Sequence, residues 1–161
     1  GTLRNRWNEV MSTSSLNKSV ADKYVTFAVA GERYATEALR VHSIIRLGPV
    51  TRLPGSDKSI LGFINVRSSI IPLICLRRVF DLPEKSATRE TRVIVIERSH
   101  KYQGILVDKV LDVLDKEDVE IIEGVSLPVE VDHAFFAGFF RCSNETYTLM
   151  DVEMVLERNL S

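Results

Sequence analysis

Apolar residues in this chain fall into short runs separated by turn-forming pairs, and they recur at a helical interval only near the end. Residues 24–29 read as a short strand. Gly31-Glu32 and then residues 33–35 follow, which predicts a hairpin. Leu39, Val41, Ile44 and Ile45 form an apolar patch ended by the turn pair Gly48-Pro49. Pro54 and Gly55 interrupt the chain again before apolar runs at 60–66 and 70–76. Pro72 inside the second run predicts an edge strand, a strand start or a bulge, because proline has no N–H for a ladder.

Leu76, Val79 and Phe80 predict a single helical turn ended by Pro83, and residues 84–90 a polar loop. The β-branched run 93–96 predicts a buried strand, with further strands at 104–107 and 110–114. The acidic stretch 112–123 reads as a solvated loop. Phe135, Phe136, Phe139 and Phe140 bracket Gly138 in an apolar setting that looks like core, and residues 147–150 continue after an Asn144-Glu145 turn. Asp151 is a candidate N-cap for a helix carrying Val152, Val155, Leu156 and Asn159 at helical spacing. Many short strands and one terminal helix predict a mainly β protein built from small barrels, not a parallel α/β sheet.

Residues 1–21, rich in Ser and Asn and without a sustained apolar period, read as an arm. Met11 is a candidate native start; excision from a longer protein is the other reading. At 161 residues the chain suits one domain, or two small ones sharing a core. A chain of this size buries roughly 68–70% of its unfolded surface and needs no staples. Its longest apolar run, 70–76, is far shorter than the ~20 residues of a spanning helix, and the N-terminus lacks the apolar centre of a signal peptide. Cys75 and Cys142, both in apolar surroundings, fit a reducing compartment, so a cytoplasmic location without membrane insertion is expected. The net charge of −1 hides a polarity: residues 1–80 carry a balance of +7 and residues 81–161 one of −8. Opposed potentials of this kind can steer assembly, or they are the solvated faces of one fold.

The glycines are never closer than seven residues apart, which excludes dinucleotide fingerprints, Walker loops and Gly-x-Ser-x-Gly elbows in standard form. His42, His100 and His133 lie far apart, so no paired zinc ligands share a helix face. A calcium loop ending at Glu123 would place Glu117 where the sharp turn needs glycine. Arg40, Arg46 and Arg52 lie close in sequence, but the aromatics cluster elsewhere, which weakens a nucleic-acid-binding barrel as the rival reading. No catalytic constellation, cofactor or metal is implied.

The stretch Gly62-Phe63-Ile64-Asn65-Val66-Arg67-Ser68-Ser69-Ile70-Ile71-Pro72-Leu73-Ile74-Cys75-Leu76-Arg77 resembles the signature of the CheW-like domain. In that family a Gly-x-Ile-Asn-x-Arg-Gly segment runs into Ile-x-Pro-x-x-Asp-Leu. Val41-His42-Ser43-Ile44-Ile45 resembles the family's Val-x-Glu-Ile, and Gly104-Ile105-Leu106-Val107-Asp108-Lys109-Val110 its Gly-hydrophobic-Val-Asp-x-Val segment. Phe136-Ala137-Gly138 and Leu149-Met150-Asp151-Val152 resemble the closing strands and helix. The resemblance covers residues 22–158, with 159–161 as a tail.

It implies two intertwined five-stranded SH3-like barrels and no catalysis. It also implies an adaptor that links the cytoplasmic tips of chemoreceptors to the regulatory domain of a histidine kinase, with other CheW-like domains as further partners. Carried over by position, Val41, Ser43, Ile44, Gly62, Asn65, Arg67 and Gly104 lie at or near the receptor-binding groove, whereas no residues are assigned to the kinase contact. The alternative within the family is a domain cut from a larger chemotaxis protein. Three departures stand out: Ser43 where the family has Glu, Ser68 where it has Gly, and Cys75 where it has Asp. They suggest a divergent member with altered receptor choice or array geometry.

Overall fold

The computed structural model describes residues 20–52, 59–127 and 133–160. Pro54, Gly55 and all of the proposed arm before Val20 lie outside the described residues. Among the described residues, eleven strands form two sheets. The first strands, β1 (Lys23–Val29) and β2 (Glu32–Glu37), pair as the predicted hairpin. The middle of the chain supplies β3 (Val41–Arg46), β4 (Ile60–Val66), β5 (Ser69–Cys75), β6 (Arg92–Arg98) and β7 (Lys101–Val107), with the short helix α1 (Leu76–Val79) after β5. Then come β8 (Lys109–Asp115), β9 (Glu120–Ile122), β10 (Phe136–Cys142), β11 (Glu145–Met150) and α2 (Val152–Leu160).

Strands β3 to β7 make a five-stranded sheet in the order β3-β6-β7-β5-β4. The other sheet joins the first hairpin to the last strands in the order β8-β1-β2-β11-β10-β9. It holds six strands where five were expected. The extra one is the three-residue β9, whose acidic sequence reads as loop but which pairs with β10 from Glu120 to Ile122.

Apolar side chains collect in three clusters. Ile64, Ile71, Leu73, Val93 and Val95 pack with residues from both edges of the five-stranded sheet, so that sheet curls around its own interior. Tyr24, Ala35, Phe140, Cys142 and Tyr147 form the interior of the six-stranded sheet, with Leu111, Leu114, Val119 and Leu149 packed against them. The third and largest cluster joins the two sheets to α2 through Phe27, Val41, Ile44, Ile94, Ile105 and Leu156. Strand β1 serves two clusters, with Tyr24 on one face and Val25, Phe27 and Val29 on the other, which explains its nearly continuous burial. Val20, at the end of the expected arm, is also buried in the shared core.

Sequence chemistry accounts for the ends of these elements. Asp151 caps α2, its Oδ1 accepting the Met154 N–H at 3.1 Å. Pro72 sits inside β5, yet the parallel ladder from β5 to β7 begins only at Leu73, so on that side the strand is still an edge at the proline. Four hairpins turn through two residues with positive φ: Ala30-Gly31, Arg67-Ser68, Ser99-His100 and Ser143-Asn144. This is the type I′ pattern, whose twist matches the flanking strands. The last turn lies one residue earlier than the expected Asn144-Glu145.

A bulge between Phe136 and Gly138 changes the facing of β10. Phe136 thereby joins Tyr34 and Phe80 in a stacked group against the shared core, while Phe140 fills the interior of the six-stranded sheet.

Candidate partner-binding site

Register places three of the seven candidate residues on one row across the five-stranded sheet. Ser43 lies opposite Val95, Val95 opposite Gly104, Gly104 opposite Leu73, and Leu73 opposite Gly62. The two glycines on this row face packing demands of their own. A Cβ on Gly62 would sit 2.5 Å from the Thr51 carbonyl oxygen and 2.7 Å from Val50 Cγ1. Thr51 must come this close because it exchanges two 2.8 Å backbone hydrogen bonds with Phe63. A Cβ on Gly104 would lie 2.8 Å from Val93 Cγ1 and 3.3 Å from Leu73 Cδ1. Both glycines are therefore required by close approach within the sheet.

Val41 and Ile44 are 2% and 4% exposed and pack in the shared core. A bulge between Val41 and Ser43 sets two residues, His42 and Ser43, between these two inward-facing side chains. Ser43 is half-buried and His42 exposed. His42 stands against Tyr102 at a ring separation of 4.7 Å.

Asn65 and Arg67 are exposed, at the β4–β5 hairpin. Arg67 and Ser68 both adopt left-handed backbone, φ 48° and 70°, so the guanidinium projects from the tip of a tight turn. Arg67 makes no ion pair or hydrogen bond among the described residues, so its donors remain available. Ile70, opposite Asn65 in the hairpin, is 75% exposed. An apolar groove of about 610 Å³ runs beside this hairpin, between Ile45 and Arg46 of β3, Thr51, and Phe63, Asn65 and Ile70. Strands β3 and β4 are the two edges of the sheet, so the groove is the seam where its curl closes.

The seven residues thus divide. Ser43, Asn65 and Arg67 are accessible, whereas Val41, Ile44, Gly62 and Gly104 are buried framework. Sequence reasoning missed Ile70, Phe63 and Arg46 as parts of the groove. Ile70 and Ile71 stand side by side in one apolar run, and only the pairing tells which of them faces out. The period-2 pattern from the turn was the available signal, since it groups Ile70 with Pro72 and against Ile71 and Leu73.

A second polar cluster holds the two sheets together. Asp108, in the junction between β7 and β8, accepts hydrogen bonds from Arg77 Nε at 3.1 Å, Arg77 Nη2 at 2.7 Å and the Ala30 N–H at 2.8 Å. Arg77 also donates to the Pro83 carbonyl at 2.8 Å. Burial pushes the Asp108 carboxyl up, but the hydrogen bonds from Arg77 and Ala30 and the nearby charges of Arg77 and Lys85 outweigh it. The carboxyl is held below its ordinary range. Arg77 ends the signature stretch and Asp108 belongs to the Val-Asp segment, so the two motifs meet in space.

The sequence model described as "CheW-like domain" matches residues 23–159. The chain belongs to the CheW-like domain family. It is 33% identical over 143 residues to the chemotaxis protein CheW of Bacillus subtilis, covering 87% of this chain and 90% of that protein. The chemotaxis protein CheW of Klebsiella aerogenes is 29% identical over 139 residues, covering 86% and 84%. The crystal structure of the scaffolding protein TtCheW from Thermoanaerobacter tengcongensis superposes with a TM-score of 0.69 at 27% identity, covering 81% of this chain and 89% of that one. The two curled sheets are therefore the SH3-like pair of the CheW fold. Among the described residues, no helix of this chain is long and apolar enough to cross a membrane.

Proposed function

We propose that this chain is a non-enzymatic adaptor that couples chemoreceptor cytoplasmic tips to the regulatory domain of a chemotaxis histidine kinase. It would act in the cytoplasm at membrane-bound receptor arrays. The relatives named as chemotaxis proteins and the scaffolding structural neighbour support this role. The observation that carries it is the Arg67 guanidinium, without a partner among the described residues and displayed at a strained turn beside an apolar groove with Asn65 and Ile70. A planar cation next to accessible apolar surface is a common hot-spot arrangement.

Receptor contact is assigned to Ser43, Asn65 and Arg67. Val41, Ile44, Gly62 and Gly104 hold the strands that carry them. An amphipathic helical hairpin with an acidic flank would lay its apolar stripe against this surface. Ser43 in place of the family's Glu makes the surface less acidic, and Ser68 in place of Gly stiffens the turn, so the chain selects a different receptor tip. The double substitution Ser43→Glu with Ser68→Gly is expected to change receptor affinity, and an unchanged affinity would refute the selection. Within the same family, the domain can equally serve inside a larger chemotaxis protein, which leaves its contacts as described.

Calorimetric titration with a receptor tip and, separately, with a kinase regulatory domain tests the adaptor reading. Binding to both, with Arg67→Ala weakening the receptor alone by about tenfold or more, is the expected result. Binding to neither by the folded chain would overturn it.

A further inference from the structure

Strand β5 runs from the Arg67-Ser68 turn to Cys75, and at that far end of the sheet a separate cleft of about 310 Å³ opens. Its apolar walls include Leu47, Val50, Leu61 and Leu106, with Cys75, 5% exposed, at its floor. Ser86 and Thr91 line it from the loop before β6, the Thr91 hydroxyl accepting the Thr88 N–H at 2.8 Å. Three cations, Arg52, Arg77 and Lys85, line the cleft against two carboxylates, Glu84 and Asp108. Arg77 is engaged by Asp108 and the Pro83 carbonyl, and Glu84 by Arg78. Arg52 and Lys85 form no ion pair or hydrogen bond among the described residues.

We propose that this cleft binds a small organic anion, a carboxylate or phosphate head carried on a compact apolar body. The size lies at the lower end of ligand pockets, and the combination of apolar walls with a few convergent polar groups is what such pockets share. The family pattern places Asp at position 75, where a third carboxylate would match the three cations. Cys75 replaces that carboxylate with a thiol and leaves an excess of one positive charge facing a partly enclosed space of mixed polar and apolar lining. Site and ligand do not depend on the adaptor reading, because the cleft lies at the opposite end of the sheet from Arg67.

Titration of the isotopically labelled full chain, followed by amide chemical shifts, tests this with four probes. They are phenyl phosphate, benzoate, inorganic phosphate and benzyl alcohol. Saturable shifts confined to residues 47–52, 75–77, 84–91 and 106–108 are expected with phenyl phosphate or benzoate. The stronger of these two identifies the head group. Benzyl alcohol and inorganic phosphate, each lacking one half of the chemistry, should bind at least about tenfold more weakly. Cys75→Asp should weaken the preferred probe by about tenfold and Lys85→Gln, on an exposed loop, by about threefold, with thermal unfolding to show that each variant is folded. Three results would overturn the proposal: no saturation by about 10 mM of either organic anion, shifts spread over all exposed arginines, or affinity unmoved by Lys85→Gln.

Discussion

Replacing Gly62 by alanine adds one methyl group where the structure leaves no volume for it. The new Cβ would meet the Thr51 carbonyl oxygen at 2.5 Å and Val50 Cγ1 at 2.7 Å. That oxygen is not free to turn away, since it accepts the Phe63 N–H while Thr51 donates back to the Phe63 carbonyl, both at 2.8 Å. Two relaxations are open. The connector can lift off β4 and give up both hydrogen bonds, at about 1 kcal/mol each. Otherwise it stays, and the overpacking costs about 1–3 kcal/mol. The chain takes the cheaper route, near 2 kcal/mol. The smaller conformational freedom of alanine in the unfolded state returns about 0.4–1 kcal/mol. The net loss expected is about 1–2 kcal/mol, or a fall of about 3–6 °C in Tm for a chain of this size. Urea unfolding measures it, with Gly48→Ala as control, because no atom lies within 4 Å of a Cβ there. Gly62→Ala within about 0.5 kcal/mol of that control would refute the reasoning and return Gly62 to the set of direct partner contacts.

The Asp108 cluster gives a pH-dependent prediction. Its carboxyl is held below the ordinary value, so the stability it contributes is present above the unfolded-state pKa, near 4, and is lost as pH falls through the lower folded value. Asp108→Asn should cost about 2 kcal/mol at pH 7 and progressively less below pH 4, and a penalty that stays constant down to pH 2.5 would count against the assignment. Ser68→Gly should raise stability by about 0.5–1 kcal/mol by relieving a left-handed residue at φ 70°, as read by thermal unfolding; a loss of stability would show the turn is not strained. Arg67→Ala removes a side chain with no partner among the described residues and should leave Tm within about 2 °C while receptor binding falls. A larger drop in Tm would mean that the arginine supports the fold.

Most elements were legible because their patterns act locally. The β-branched run 93–96 lies within β6, Asp151 caps α2 as its position suggested, and the turn at Leu76–Val79 follows from the spacing of Leu76 and Val79. Strand β9 was not legible, since Glu120 and Glu123 mark solvent while three residues suffice to pair with β10. The Ser99-His100 hairpin carries none of the glycine or asparagine that normally announces a type I′ turn. In the candidate site, residue identities came through the family resemblance, but their exposure did not. Val41 and Ile44 flank a bulge, and a bulge is invisible to a strict two-residue alternation. Buried and accessible members of one motif therefore looked alike until the register was known.

Because β2 lies parallel to β11, the first hairpin gains one neighbour, β8, in the middle of the chain and the other, on β2, only from its last strands. Tyr34 pairs with Thr148, 114 positions later. During synthesis the whole middle sheet can assemble while this hairpin waits with both outer edges uncovered; β8 then covers β1, and the six-stranded sheet closes last on β2. Loop-closure entropy makes such distant pairing slow. On the ribosome, the nascent chain would expose an unpaired β2 edge until β11 emerges, which makes that strand a segment in need of protection from misassociation.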